Sequence, residues 1–462
     1  MRKRGKNKLH VGVIIFATAI IILFTVQCDK SEPEGSIKPP VTVEKEIPFD
    51  KTPKWSEMVV YEVNPLVFGP DGTFSNITER LSDIKDLGVN VLWLMPIFPE
   101  GQLNGVGSPY AVQNYTEVAP SLGNITDLKQ LVKEAHKLEM AVIIDWVANH
   151  TAWDNPWIEN DSWYTKDSQG NIINPPGTNW QDVAELNYNN EEMRNEMIKS
   201  MKFWVETCNI DGFRCDAVDF VPFDFWKQAI DSLQTMEGRS LIFLAESGKK
   251  ESLTAGFQFN YSWDFQSKLV SIFKNKTAAN QLATTHMAEM SQVPEGRNKL
   301  RYITNHDIYA WEGSPYEQFG NNEAALAAFA ATVFSGGIPL IYSGQETDYQ
   351  EKISFFELNP IEWDNTPTIT SEIKQIIKIR KENQDFINTS FTSYSTSDII
   401  SFLHKKSNSE LLVLINTRGG NASFTFPTEL QNKQWTNLIN NTNTEYSTKT
   451  EMMPYQYIIL KR

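Results

Sequence analysis

Basic side chains and cysteines are scarce in this chain. Lys and Arg total 42 against 57 Asp and Glu, a formal net charge of −15. Nucleic acids and anionic membrane surfaces are held by clustered Lys and Arg, so the charge balance argues against both. A neutral substrate, which needs no electrostatic steering, fits it instead. Cysteine occurs only 3 times and histidine 6 times, and no Cys/His spacing resembles a zinc site. Cys208 and Cys215 lie around a helix end and a strand. They read as two inert, buried thiols rather than a disulfide. Repeats are missing too, and the one biased stretch, residues 31–53, is a Pro-, Glu- and Lys-rich tether.

There is one long hydrophobic run. Residues 1–10 are basic, with Arg2, Lys3, Arg4, Lys6 and Lys8, and residues 11–26 are almost wholly apolar. That length is short for a membrane span and normal for a signal sequence. Cys28, which closes it, resembles the lipidated first residue of a bacterial lipoprotein, although Gln27 stands where a small residue is usual. The acidic stretch after it resembles signals that send lipoproteins to the cell surface. The alternative is an uncleaved membrane anchor. Either reading makes the globular part extracytoplasmic, with residues 1–28 a signal peptide and 29–54 a tether.

From Trp55 onward, strand and helix patterns alternate. Strands are expected at 59–63, 89–95, 141–145, 212–216, 241–246, 257–261, 301–305 and 339–342. Helices are expected at 78–87, at 126–138 with Thr126 as N-cap, and at 191–207, 223–236, 324–334 and 370–383. Eight such units favour a (β/α)8 barrel over residues 55–388. The gap between the third and fourth strands is too long for one helix. Residues 151–188, with Trp153, Trp157, Trp163, Tyr164 and Trp180, therefore read as a loop subdomain inserted over the barrel mouth. From 389 to 462 short apolar runs separated by turn signals predict an antiparallel β-sandwich.

Acidic residues follow several of these strands. Asp145, Asp216, Glu246 and Asp307 would converge at the carboxyl ends of parallel strands, on one mouth. Such a group suits cleavage of a glycosidic bond, which needs a nucleophile, a proton donor and a stabiliser of positive charge. Asp216 is the expected nucleophile. Arg214, two positions earlier, faces the same side and is expected to keep it ionised. Glu246, after an apolar run, suits a general acid whose pKa burial raises. The 13 Trp, 15 Tyr and 26 Phe permit stacking on sugar rings without requiring it.

Four stretches, in order, resemble the α-amylase superfamily, glycoside hydrolase family 13. They are Asp145-Trp146-Val147-Ala148-Asn149-His150, Gly212-Phe213-Arg214-Cys215-Asp216, Glu246, and Asn305-His306-Asp307. Residues 88–96 and 337–346 resemble its second and eighth strands. Ser108-Pro109-Tyr110 with Tyr115 resembles the loop whose tyrosine stacks on the sugar at the cleavage point. The resemblance implies a retaining double displacement on starch-type glucans or maltooligosaccharides. In it Asp216 is the nucleophile, Glu246 the acid and base, and Asp307 the transition-state stabiliser. Arg214, His150 and His306 would hold the sugar and the carboxylates, and Tyr110 would be the stacking platform. No cofactor is implied for the chemistry.

Some positions carry two readings. Asp145 reads equally as an organiser of the mouth or as a sugar contact. Asn149 stands where many members bind structural calcium, and a loop amide holding backbone groups explains it as well. Asp219 and Phe220 stand where calcium-dependent α-amylases carry a Lys-His pair, which weakens the calcium inference. Ala184-Glu185-Leu186-Asn187, at a specificity-related segment, matches neither common pattern. Rival readings are another α-glucoside specificity on the same barrel (cyclomaltodextrinase or neopullulanase, α-glucosidase, transglycosylase) or a membrane-anchored binding subunit without catalysis. The retained acidic trio favours an enzyme.

Overall fold

The computed structural model describes residues 47–347, 349–363, 367–387 and 389–462. The expected signal sequence, Cys28 and most of the expected tether lie outside them. Among the described residues no helix is long and apolar enough to cross a membrane.

Eight parallel strands close into a barrel: β1 (Val60–Val63), β2 (Val91–Leu94), β3 (Ala141–Trp146), β6 (Gly212–Cys215), β7 (Ile242–Ala245), β8 (Phe259–Tyr261), β9 (Asn298–Arg301) and β10 (Ile338–Tyr342). Between β3 and β6 the short strands β4 (His150–Ala152) and β5 (Val183–Glu185) pair antiparallel, pairing His150 with Glu185. They frame the inserted subdomain. Around the barrel run α1 (Phe74–Asp86), α2 (Ile125–Lys137), α3 (Glu191–Cys208), α4 (Phe223–Gln234), α5 (Lys250–Ala255), α6 (Trp263–Phe273), α7 (Gln281–Met290), α8 (Pro315–Phe319), α9 (Asn322–Phe334) and α10 (Pro367–Glu382).

Side-chain alternation sorts the strands into two apolar layers. Val60, Val91, Trp93, Ala141, Ile143, Ile242, Leu244, Phe259, Leu300, Ile338 and Leu340 fill the barrel. Tyr61, Leu92, Val142, Phe213 and Phe243 face the helices. On α2 the buried residues Leu128, Leu131, Val132 and Ala135 repeat at helical spacing and pack onto that outer layer. Its N-cap is Asn124, whose side chain accepts from the Thr126 N–H at 2.8 Å. Thr126 itself lies inside the first turn, contrary to expectation.

The seventh strand also differs from the expected 301–305. It is β9, Asn298–Arg301, and the expected stretch mostly follows it. Hydrophobic patterning misses β9 because two polar side chains are buried on its outer face. Arg301 Nη1 donates to Glu289 Oε2 at 2.5 Å, and Lys299 Nζ donates to the carbonyls of Gly248 and Tyr261. Paired this way, both charges tolerate burial.

The C-terminal part holds β11 (Ser390–Ser393), β12 (Ile399–Lys406), β13 (Ser409–Asn416), β14 (Ala422–Thr425), β15 (Lys433–Asn437), β16 (Thr442–Tyr446), β17 (Lys449–Met452) and β18 (Tyr457–Lys461). Six of them form one antiparallel sheet in the order β11-β12-β13-β18-β15-β16, and β14 with β17 forms a ribbon. Leu412, Leu414, Ile458, Leu460 and Trp435 of the sheet meet Phe424, Phe426 and Met452 of the ribbon and the turn after β14. The sandwich is therefore unequal. The sheet's other face, with Phe402, Val413 and Ile459, joins the core of the barrel helices.

Candidate active site

The alternation that fills the barrel also aims the chemistry. Counting by twos from inward-facing residues, Val60 leads to Glu62, Ile143 to Asp145, Gly212 to Arg214 and Asp216, and Leu244 to Glu246. All are inward-facing, at the carboxyl ends of their strands.

Arg214 ties them together. Its Nη1 donates to Asp145 Oδ1 at 2.8 Å, to Asp145 Oδ2 at 3.0 Å and to Asp216 Oδ1 at 2.9 Å. Its Nη2 lies 3.0 Å from Glu246 Oε2 as an ion pair without hydrogen-bond alignment. The guanidinium is wholly buried and lies 5.1 Å from the Trp93 ring centroid. Removing it would leave buried carboxylates uncompensated, a loss of about 3–5 kcal/mol.

A second chain of contacts reaches the same floor. His306 Nδ1 lies 2.5 Å from Glu62 Oε1, and its Nε2 lies 2.8 Å from the Tyr110 hydroxyl. Tyr110 in turn donates to Asp145 Oδ2 at 3.3 Å. Burial pushes the His306 ring down, but Asp307 and Glu62 outweigh it and raise it to about 9. At neutral pH the ring is therefore charged and both nitrogens donate.

Burial dominates at the carboxyl groups. It raises Asp216 to about 6, with Arg214 opposing and Asp145 and Asp307 adding. It raises Glu246 to about 7, again against Arg214 and with help from Asp216 and Asp307. The sequence predicts that Arg214 holds Asp216 down; here burial outweighs it. Arg214 hydrogen-bonds Asp216 but meets Glu246 only as an unaligned ion pair, so the proton resides preferentially on Glu246. Asp307 has a side chain 44% exposed, with Oδ2 3.6 Å from His306 Nε2.

Asp145 is fully buried and its oxygens are taken by Arg214 and Tyr110, which makes it an organiser of the mouth. Asn149 Nδ2 lies 3.2 Å from His150 Nδ1. The amide nitrogen only donates, so His150 accepts at Nδ1 and carries its proton on Nε2. Burial lowers His150 to about 4, leaving the ring neutral. The bond to His150 uses the Asn149 amide nitrogen, whereas calcium would take its oxygen. No group of three or more His, Cys, Asp or Glu that could hold a metal occurs among the described residues.

These residues open into a cleft of about 790 Å³, within the usual range of ligand sites. Tyr110, His150, Asp216, Glu246, His306 and Asp307 line it. Of the tryptophans in the inserted subdomain only Trp180 lines the cleft, between His150 and Phe220 at 5.5 and 5.6 Å. Trp157 packs on Tyr115 and Trp163 instead. Tyr115 is buried and donates to the carbonyls of Val147 and His150. Exposed rings complete the rim: Phe220, Trp263 and Trp311 are 49%, 42% and 62% exposed. Sequence reasoning missed Glu62 and these rim residues. A lone carboxylate in Val60-Tyr61-Glu62-Val63, at an inward-facing position, was the available signal for the first.

Comparison with known proteins agrees with this geometry. The family described as "Alpha amylase, catalytic domain" matches residues 29–174 and 177–398. Alpha-amylase 2 of Dictyoglomus thermophilum is 26% identical over 376 residues, 75% of this chain, which spans 64% of that protein's length. Two solved structures superpose closely. An α-amylase from Lactobacillus plantarum gives a TM-score of 0.80 at 26% identity, covering 88% of this chain and 99% of that one. A maltogenic α-amylase, AmyB, from Thermotoga neapolitana gives 0.79 at 27%, covering 89% and 99%.

Proposed function

The chain belongs to the α-amylase family of glycoside hydrolases, and from that premise we propose that it cleaves α-1,4-glucosidic bonds in starch-type glucans or maltooligosaccharides with retention. One observation carries the reading: a single buried guanidinium, Arg214, bridges Asp216 and Glu246 at the floor of an aromatic-rimmed cleft.

Asp216, the less basic carboxylate, attacks the anomeric carbon. Glu246 gives its proton to the departing glycosidic oxygen, and the sugar–oxygen bond breaks as the glycosyl–Asp216 ester forms. Glu246, now ionised, takes a proton from water, whose oxygen displaces Asp216 and restores the original configuration. Arg214 offsets the charge that shifts between the two carboxylates. Asp307 supports the positive charge at the anomeric carbon. Tyr110 offers its ring, and His150 the Nε2 proton, to the sugar on the glycone side.

The likeness to a maltogenic enzyme supports a second specificity on the same machinery, in which maltose is the main product. Product analysis on starch, maltoheptaose, pullulan and cyclodextrin, with Glu246→Gln as control, separates these. Proton NMR of the first products is expected to show the α-anomer. Folded protein that turns over none of these substrates would overturn the α-glucanase reading and favour a binding subunit. We propose further that lipid on Cys28 anchors the protein outside the cytoplasm. Palmitate labelling that survives Cys28→Ser would contradict this.

A further inference from the structure

The loop that follows the proposed acid is held by donors from two neighbouring strands. Glu246 follows β7 directly, and Ser247, Gly248 and Lys249 lead from it to α5. Their three consecutive carbonyls each accept a hydrogen bond. The Ser247 carbonyl accepts from the Tyr261 N–H at 3.0 Å, that of Gly248 from Lys299 Nζ at 3.2 Å, and that of Lys249 from Asn260 Nδ2 at 2.9 Å. Asn260 and Lys299 pair across β8 and β9, so both side chains leave the barrel on the same outer face.

Lys299 is the charged donor of the three, and stability does not account for it. The residue is buried, and among the described residues its ammonium donates only to carbonyls, those of Gly248 and, at 3.3 Å, of Tyr261. The nearby carboxylate of Glu289 is already engaged, Oε2 by Arg301 Nη1 at 2.5 Å and Oε1 by the Phe265 N–H at 3.1 Å. A buried ammonium without a carboxylate partner costs more than an apolar side chain of the same length. Burial lowers it to about 8, with Glu289 opposing, so the charge is kept at neutral pH. What the charge gains is a grip on two segments at once.

Both segments belong to the site. Gly248 lies two residues after Glu246. Tyr261 belongs to the layer that fills the barrel, where its hydroxyl accepts from Arg214 Nε at 3.3 Å, and Arg214 Nη2 lies 3.0 Å from Glu246 Oε2. We propose that Lys299 is a positioning residue for Glu246: by tying the Gly248 carbonyl to that of Tyr261, it fixes the backbone from which the acid reaches the departing oxygen. A charged donor holds a carbonyl more strongly than a neutral one, and a misplacement of about 1 Å costs on the order of 10²-fold in rate. Lys299 does not line the cleft, so it acts through the loop rather than on the sugar. The inference rests on the α-glucan reading, which makes Glu246 the acid.

The test compares maltoheptaose, whose departing oxygen needs a proton, with α-maltosyl fluoride, whose fluoride leaves with little help from an acid. In Lys299→Met the ratio of kcat/KM for maltoheptaose to that for the fluoride is expected to fall about ten-fold, part of the roughly 10²–10⁴ that a placed acid supplies. Lys299→Gln, which keeps a neutral donor, is expected to fall less, and it carries the comparison if Lys299→Met does not fold. An unchanged ratio would overturn the proposal. So would an equal loss on both substrates, the mark of a lysine that serves only the fold. Wild-type protein inactive on both would overturn the α-glucan reading itself, and this inference with it.

Discussion

The backbone N–H of Ala217 donates to Oε2 of Glu246 at 2.7 Å, so the residue that follows the proposed nucleophile grips the proposed acid. Ala217 adopts φ 43°, ψ 42°, a left-handed conformation that costs a non-glycine residue about 1–3 kcal/mol. The bond favours the charged form of Glu246, yet burial, Asp216 and Asp307 still leave the group at about 7. Asp216 lies at about 6. The expected pH profile of kcat/KM is a narrow bell. Activity falls below about pH 6 as Asp216 takes up a proton, and above about pH 7 as Glu246 loses its own. A flat profile from about pH 5 to about pH 9 would count against both assignments.

Glu62 is expected to set the charge of His306. With its folded value raised to about 9 from 6.5, His306 adds stability that is fully present below about pH 6.5. That stability is lost as pH rises through about 9. Glu62→Gln removes one of the two carboxylates responsible. The NMR titration midpoint of His306 should then drop by about 1 unit or more, and the loss of stability on the alkaline side should shrink. An unmoved midpoint would show that Asp307 alone suffices.

Gly212 opens β6 at φ 146°, and a Cβ there would sit 1.9 Å from the Ile242 carbonyl oxygen. Neighbouring barrel strands cannot separate to admit it without breaking their ladder. Gly212→Ala should cost about 3 kcal/mol, read as a lower urea midpoint. A wild-type midpoint would mean that the strands yield there.

Cys208 and Cys215 are buried and not joined in a disulfide. Burial also raises the Cys215 thiol well above its usual range, which makes it a poor nucleophile. Neither should react with a thiol reagent in the folded protein, and reductant should leave Tm unchanged. Rapid labelling without denaturant would contradict this burial.

The legible parts of the site are those written in period two. Arg214, Asp216 and Glu246 follow apolar residues at fixed parity, so their common direction is readable from the amino-acid sequence alone. The position of β9 is not, because Lys299 and Arg301 find partners on α7, the loop after β7 and the end of β8, contacts that no local pattern announces. The α2 cap moved by two residues because both Asn124 and Thr126 are capping types. The balance at Asp216 is tertiary: Arg214 is visible in the sequence, but the burial that outweighs it is not. Among the tryptophans, composition alone could not separate Trp180, which lines the cleft, from Trp157, which packs on Tyr115.

From Ala324 to Phe334 every residue of α9 except Leu326 is buried. Its outer side is covered by β13, and the Phe334 carbonyl accepts from His404 Nε2 on β12 at 2.8 Å. In the sheet, β13 lies between β12 and β18, and all three follow α9 in sequence. A ribosome therefore releases the helix long before it releases the strands that shield it. The nascent barrel keeps one apolar flank open until those strands emerge. Loss of the strands that cover it would expose that flank and endanger the barrel while leaving every proposed catalytic residue in place.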